Sequence, residues 1–498
     1  MTDPATHPHV QRIDTHAASV FLEGDRALKI KRAVRFPFLD YSTLAKRKAA
    51  CDEEIRINRQ FAPQVYHRVV PITQRSDGSL EIDGKGEAVE YAVEMSRFDE
   101  RQTIDHLAAA GPLDTGLAEA IAEAIAASHT VAPPAQAAPW INSIPAIIAD
   151  NARAFREAAC FSPGDIEDLR QASLSAFARI RPLLEQRGSR GFLRRCHGDL
   201  HLANIVLIDG KPVLFDAIEF DPVMASTDVL YDLAFPLMDF IRYGRQAEAN
   251  ILLNRYLAVT ESENLDALGV LPLFISLRAA IRAEVLLARL NRNARDTSDT
   301  MRSSRAYFEL ARLTIAPKTP VLVAVGGLSG TGKSVTARAL APLLLPQPGA
   351  VVLRSDVLRK QLFKVNETDR LPESAYGAEI SEQIYEILVQ RAVRVLSQGH
   401  SVVVDAVFAR EEERNAVRDA AHRLNVRFIG LFLVADLATR LRRVGRREQD
   451  ASDATPEIAG LQETYNIGPI DWGVIDASGT PEQSLKQCKS RITRGEAA

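Results

Sequence analysis

The stretch Val321–Ser334, VLVAVGGLSGTGKS, decides how this chain is read. Five apolar residues run without interruption into G-x-x-x-x-G-K-S, and SVTARALAPLL continues with helical spacing. Strand, glycine loop and helix N-terminus in that order are the parts of a phosphate-binding loop. Gly327, Gly330 and Gly332 permit positive φ, so the backbone N–H groups of Gly327, Leu328, Ser329, Gly330, Thr331 and Gly332 can turn toward a polyphosphate. Lys333 adds a point charge for β- and γ-phosphates, the Ser334 hydroxyl can ligate Mg²⁺, and the helix that follows presents its positive dipole end to the same anion. The expected ligand is a nucleoside triphosphate.

Outward from this loop the chain divides. IAPKTP, residues 315–320, carries two prolines that interrupt a helical segment and mark a linker. Beyond it, β-branched runs (VVL at 351–353, SVVVD at 401–405, RFIGLFLV at 427–434) alternate with helical stretches such as 380–396, the pattern of a parallel sheet between helices. Before it, SVFLEGD and RALKIKRAV flank a Gly24–Asp25 turn, YSTLAKRKAACDEEIRINRQF reads as an amphipathic helix, and strands end at VEYAVEM. After Phe98 the pattern is helical except at residues 197–220. The expectation is an α+β bilobal domain over residues 1–312, with a cleft, and an α/β domain over 318–498.

Composition bounds the function classes. The 498 residues are 46% hydrophobic and 25% charged, ordinary for a globular protein. A net charge of -3 disfavours a general polyanion-binding surface. Four scattered cysteines, with no C-x-x-C pair, fit free thiols in a reducing cytoplasm. MTDPATHPHV lacks a basic n-region and an apolar h-region, and no run reaches the length of a membrane span.

A second chemical centre is HGDLHLANIVLIDGKPVLFD, residues 197–216. Asp199 and Asn204 share one loop, and Asp216 ends the hairpin after it, a set of oxygen donors suited to a hard cation with a base beside it. HGDLHLANI with LFD resembles the motifs of the aminoglycoside phosphotransferase and choline kinase-like families, relatives of protein kinases. The resemblance implies that Asp199 accepts the proton of the attacking hydroxyl and that Asn204 and Asp216 hold Mg²⁺. It also implies a strand lysine paired with a helix glutamate. Lys29 and Lys31 lie on one face of a strand, Lys29 following Ala27 and Leu28 as in V-A-I-K; Glu54 and Glu53 compete on the next helix, Glu54 beside the Cys51–Ile55–Asn58 stripe. The corresponding nucleotide-covering segment, IDTHAASVF, contains no glycine, so phosphate cover falls to Thr15, Ser19 or backbone.

In the second domain, LRSDVLRKQL resembles the S-D-x-x-R segment of small P-loop kinases related to gluconate kinase and polynucleotide 5′-kinase. That implies Asp356 as base and Arg359 as the group that grips the acceptor; as a plain alternative, Ser355 or Asp356 caps the helix. Asp405 has the position of a carboxylate holding a water of Mg²⁺, and Arg443, Arg446 and Arg447 resemble a lid. Arg278, Arg282 and Arg289 form a further stripe, expected on a solvated or interdomain face. The whole chain resembles bacterial fusions of an aminoglycoside phosphotransferase-like domain with a P-loop ATP-binding domain. The implied activity is ATP- and Mg²⁺-dependent transfer to a small-molecule hydroxyl; a polynucleotide 5′-kinase and an ATP-binding regulator with one inactive domain are the alternatives.

Overall fold

In a computed structural model the N-terminal strands close into one antiparallel sheet. Its strands are β1 (Gln11–Asp14), β2 (Ala18–Glu23), β3 (Arg26–Lys31), β4 (Tyr66–Gln74), β5 (Leu80–Ile82) and β6 (Ala88–Ser96), in the order β1-β2-β3-β6-β4-β5. Helix α1 (Leu44–Asn58) starts at Thr43, whose side chain accepts from the Lys46 N–H, and buries Cys51, Glu54, Ile57 and Asn58. Leu22, Ala27, Cys51, Val65, Tyr66 and Val93 form the core between sheet and helix. Burying a charged Glu54 in such a layer requires paired cations.

The structure describes residues 10–15, 17–36, 39–260, 262–290, 297–446 and 451–494. They group into two units, one within Met1–Arg245 and Leu273–Arg312, the other within Gln246–Pro272 and Leu313–Ala498. The helical part of the first unit includes α2 (Thr115–Val131) and, after the hairpin β7 (Ile205–Ile208) and β8 (Lys211–Leu214), α3 (Val229–Arg242). α3 is buried from Val229 through Ile241, yet carries Asp232 and Asp239 seven residues apart on one face.

The second unit begins with α4 (Gln246–Val259), a segment that the sequence reading assigned to the first domain. The chain re-enters the first unit within α5 (Leu271–Leu290). The parallel sheet contains β9 (Val321–Gly327), β10 (Val351–Arg354), β11 (Val402–Asp405), β12 (Arg427–Val434) and β13 (Gly473–Asp476), ordered β10-β11-β9-β12-β13. β9 is central and almost wholly buried, as its unbroken apolar run requires. Register places Val325 and Arg354 on either side of Asp405, so three strand C-termini end together beside the glycine loop. At the β10 edge, Asn254 Oδ1 accepts the Val352 N–H at 2.7 Å, and the amides of Asn250 and Asn254 donate to Ala350 O at 3.0 and 3.1 Å. Two side-chain amides of α4 thus satisfy backbone groups that a neighbouring strand would otherwise pair. No helix among the described residues is long and apolar enough to cross a membrane.

Candidate functional site

In the first unit β3 and α1 bring Lys29 and Glu54 together: Lys29 Nζ lies 2.8 Å from Glu54 Oε1 and 2.6 Å from Asp216 Oδ1. Lys31, on the same strand face, pairs with Glu54 Oε2 at 2.6 Å and Glu219 Oε1 at 2.5 Å. One buried carboxylate therefore spans both lysines. Burial alone would raise the pKa of Glu54, but Lys29 and Lys31 overcome it and hold the group ionised. Glu53 lies outside this network and pairs with Arg56.

Asp216 has φ +61°, an uncommon conformation for a non-glycine residue, which the surroundings enforce. Its N–H donates to Tyr66 Oη at 3.1 Å, and Asn58 clamps the next residue through Ala217 N and O. The loop bearing Asp199 hangs from α3: Gly198 N–H donates to Asp232 Oδ1 at 2.9 Å, His197 N–H to Asp232 Oδ2 at 3.3 Å and Leu202 N–H to Asp239 Oδ2 at 3.0 Å. Gly198 has φ +85°, and a Cβ there would stand 3.2 Å from Ala225 Cα. Burial alone would raise the Asp199 pKa; His201, 3.5 Å away, and Arg282 outweigh it and keep the group ionised. Asp199, Lys29 and Asp216 line one cavity of about 830 Å³, whose other walls include Val20, Ala27, Val65, Met95, Phe98 and Phe215.

His129, Cys196 and Asp232 bring ligand-type atoms within 4.8 Å of one another, the one such group among the described residues. Both Asp232 oxygens already accept hydrogen bonds, and burial pushes the Cys196 thiol pKa well up, so the cluster serves as a brace for the loop.

In the second unit the glycine loop is held from outside. Arg440, fully buried, donates through Nε to Ser329 O at 2.8 Å, and Gln462 both accepts from Ser329 N at 2.7 Å and donates to Ser329 Oγ at 3.0 Å. Gly330 has φ +86°, and a Cβ on it would meet Arg440 O at 2.7 Å. Lys333 begins α6 (Lys333–Leu340), and its Nζ reaches Leu328 O at 3.3 Å. Asp356, in the first turn of α7 (Ser355–Leu362), has a raised pKa, through burial first and the Asp405 carboxylate second, with Lys333 and Arg354 opposing. Arg354 bridges the site: Nε to Asp405 Oδ2 at 3.2 Å and Nη2 to Ser334 Oγ at 3.1 Å.

These two geometries agree with the family comparisons. The model described as "Phosphotransferase enzyme family" matches residues 14–268, just over half the chain, and the model described as "AAA domain" matches residues 321–464. The chain belongs to the phosphotransferase enzyme family. An uncharacterized protein of Mycobacterium tuberculosis (strain ATCC 25618 / H37Rv) is 28% identical over 493 residues, 96% of this chain and 95% of its own. Among solved structures, a gluconokinase from Sinorhizobium meliloti 1021 is 18% identical over 36% of this chain and 94% of its own, with a TM-score of 0.25. Aminoglycoside 2′-phosphotransferase-IIIa, solved with GDP, is 15% identical over 62% of this chain and 95% of its own, with a TM-score of 0.37.

In this phosphotransferase-family chain Lys29, Glu54, Asp199 and Asp216 come together in the first unit, whereas several residues predicted for the second bond to backbone or aromatic groups. Arg359 donates to Ala375 O at 2.5 Å and stacks 4.8 Å from the Tyr376 ring. Arg443 donates to Ala477 O and Gly479 O, both at 2.7 Å, and Arg447 lies outside the described residues. Neither Ser355 nor Asp356 caps α7, whose N-cap is Arg354 without a side-chain bond. The expected solvated stripe is corrected: Arg278 is buried against the Tyr231 and Phe235 rings, at 3.9 and 4.4 Å, and the charge of Arg282 acts on Asp239 and Asp199. Such arginines face inward because aromatic faces and buried carboxylates replace their hydration. In the glycine-free turn, Thr15 Oγ1 bonds Ala18 O at 3.0 Å and Ser19 Oγ donates to Asp14 at 2.6 Å, so both hydroxyls close the turn itself.

Sequence reasoning did not identify Asp232, Asp239, Arg440, Gln462 or Arg354. The two aspartates were detectable as carboxylates in an otherwise apolar helix; the others have no local signal. The donor sets suit a hard divalent cation. Asn204 spends its Nδ2 on Asp199 O at 2.8 Å, so its side-chain carbonyl oxygen is the donor it can offer a cation. In the second unit, Ser334 Oγ and Asp405 Oδ2 already converge on one cationic group.

Proposed function

We propose that both units are ATP-dependent kinases that transfer the γ-phosphoryl group to a hydroxyl of a small molecule. The observation that carries this is the Lys29 ion network, which ties strand, helix and Asp216 together in a cavity that also takes the Asp199 carboxylate. Phosphoryl transfer needs positioning and charge neutralisation more than covalent chemistry, and these residues supply both.

In the first unit the apolar walls at Val20, Ala27, Val65, Met95 and Phe98 suit a purine, Lys29 serves the phosphates, and Asp199 takes the hydroxyl proton. In the second unit the loop Gly327–Ser334 holds the phosphates, and Asp356, whose raised pKa favours proton uptake, is the base. Asn204 with Asp216, and Ser334 with Asp405, would hold Mg²⁺, which supplies charge neutralisation at the phosphates. A net charge of -3 favours a small acceptor over a polynucleotide, and four free cysteines suit the cytoplasm.

Incubation of a metabolite pool with γ-labelled ATP tests the reading, comparing the wild type with Asp199→Ala and Lys333→Ala. A labelled product lost in one variant assigns its unit. Asp356→Asn should bind nucleotide yet lose transfer in the second unit. Products unchanged in all three variants would sink the proposal.

A further inference from the structure

Arg354 is the last residue of β10, two positions before Asp356, and only 7% exposed. The P-loop pattern asks for no arginine there. Its guanidinium nevertheless touches Ser334 Oγ and Asp405 Oδ2 at 3.1 and 3.2 Å, the two oxygens assigned above to the cation. The register that sets Arg354 beside Asp405 makes this a built feature of the sheet edge.

We propose that Arg354 is a displaceable latch: its charge holds the corner between Ser334 and Asp405, and it leaves Ser334 when metal and nucleotide bind together. The proposal rests on the P-loop kinase reading of this unit. A guanidinium stays charged at any physiological pH, so it cannot yield by losing a proton. A second cation within a few ångströms in a buried corner is repelled, so Arg354 weakens capture of a free divalent ion. Nucleotide phosphates offset that repulsion, because they give the displaced fork a bidentate partner. Metal and nucleotide therefore promote each other's binding, and the domain takes the complex in preference to the free ion. Lys333 and Asp356, which interact electrostatically next to this corner, stay in place as partners for phosphate and acceptor.

The test uses the full chain carrying Asp216→Ala, which silences the metal site of the first unit. Mn²⁺ is titrated by EPR without nucleotide, and mant-ADP binding is followed against Mg²⁺ concentration. With Arg354→Gln the Mn²⁺ midpoint should fall about tenfold, the weight of one charge-assisted hydrogen bond, and the synergy between metal and mant-ADP should shrink by the same factor. Arg354→Lys keeps a charge but cannot bridge both oxygens, and should fall in between. Midpoints equal to or higher than wild type in both variants, with a lowered melting temperature, would mean a purely structural bond and overturn the latch. Lys333→Ala in the same background is the separate control: unchanged mant-ADP binding there would overturn the P-loop reading itself.

Discussion

A carboxylate that holds a cation and one that takes a proton fail differently when neutralised, and the first unit contains one candidate for each role. Asp216→Asn removes charge from the phosphate end of the Lys29 network and should weaken Mg²⁺-dependent nucleotide binding by about tenfold or more. Asp199→Asn should leave that affinity within about twofold while stopping transfer, because a base acts in the transition state. Calorimetric titration of the full chain carrying Lys333→Ala, with and without Mg²⁺, reads both; the reverse order of effects would exchange or remove the roles. At this scale the sequence put Lys29 and Lys31 on one strand face, through the strand's period of two, and favoured Lys29 only by its V-A-I-K-like neighbours. Contact separates them: Lys29 meets Asp216, and Lys31 meets Glu219.

At the level of elements, the β10 edge depends on α4. Asn254→Leu leaves the Val352 N–H without its partner and should destabilise the second unit by about 1–3 kcal/mol, measured by urea unfolding. A change under about 0.3 kcal/mol would show that the amide cap is incidental. His400, just before β11, is buried with its Nε2 on Gly349 O at 2.8 Å, and burial lowers its pKa from 6.5 to about 4. The folded state then binds fewer protons than the unfolded state between those values. Stability is full above pH 6.5 and declines as pH falls toward 4, by about 2 kcal/mol between pH 7 and 5. His400→Gln should flatten this dependence. Equal slopes for wild type and variant would place the acid sensitivity elsewhere. The strands and helices themselves were legible from periodicity, but the short β13 was not, since GVID carries too few residues to show a pattern.

At the scale of the whole molecule, the chain passes between its units three times, after residues 245, 272 and 312. A fragment starting near Thr319 therefore lacks α4 and exposes the β10 edge. It should melt lower and aggregate more readily than the same unit within the full chain, by differential scanning fluorimetry and light scattering. Equal melting would mean that α4 contributes little to that edge. The sequence by itself determined the glycine loop with its lysine and serine, and the Asp199–Asn204–Asp216 order, because each motif is a short segment whose spacing along the chain places its groups on one loop or at the end of the hairpin that follows it. Only the tertiary structure decided that Lys29 reaches Asp216, 187 residues away, that Arg354 lies between Ser334 and Asp405, and that α4 caps the β10 edge of the second sheet. Those contacts depend on strand order and register, which side-chain periodicity along one segment does not encode.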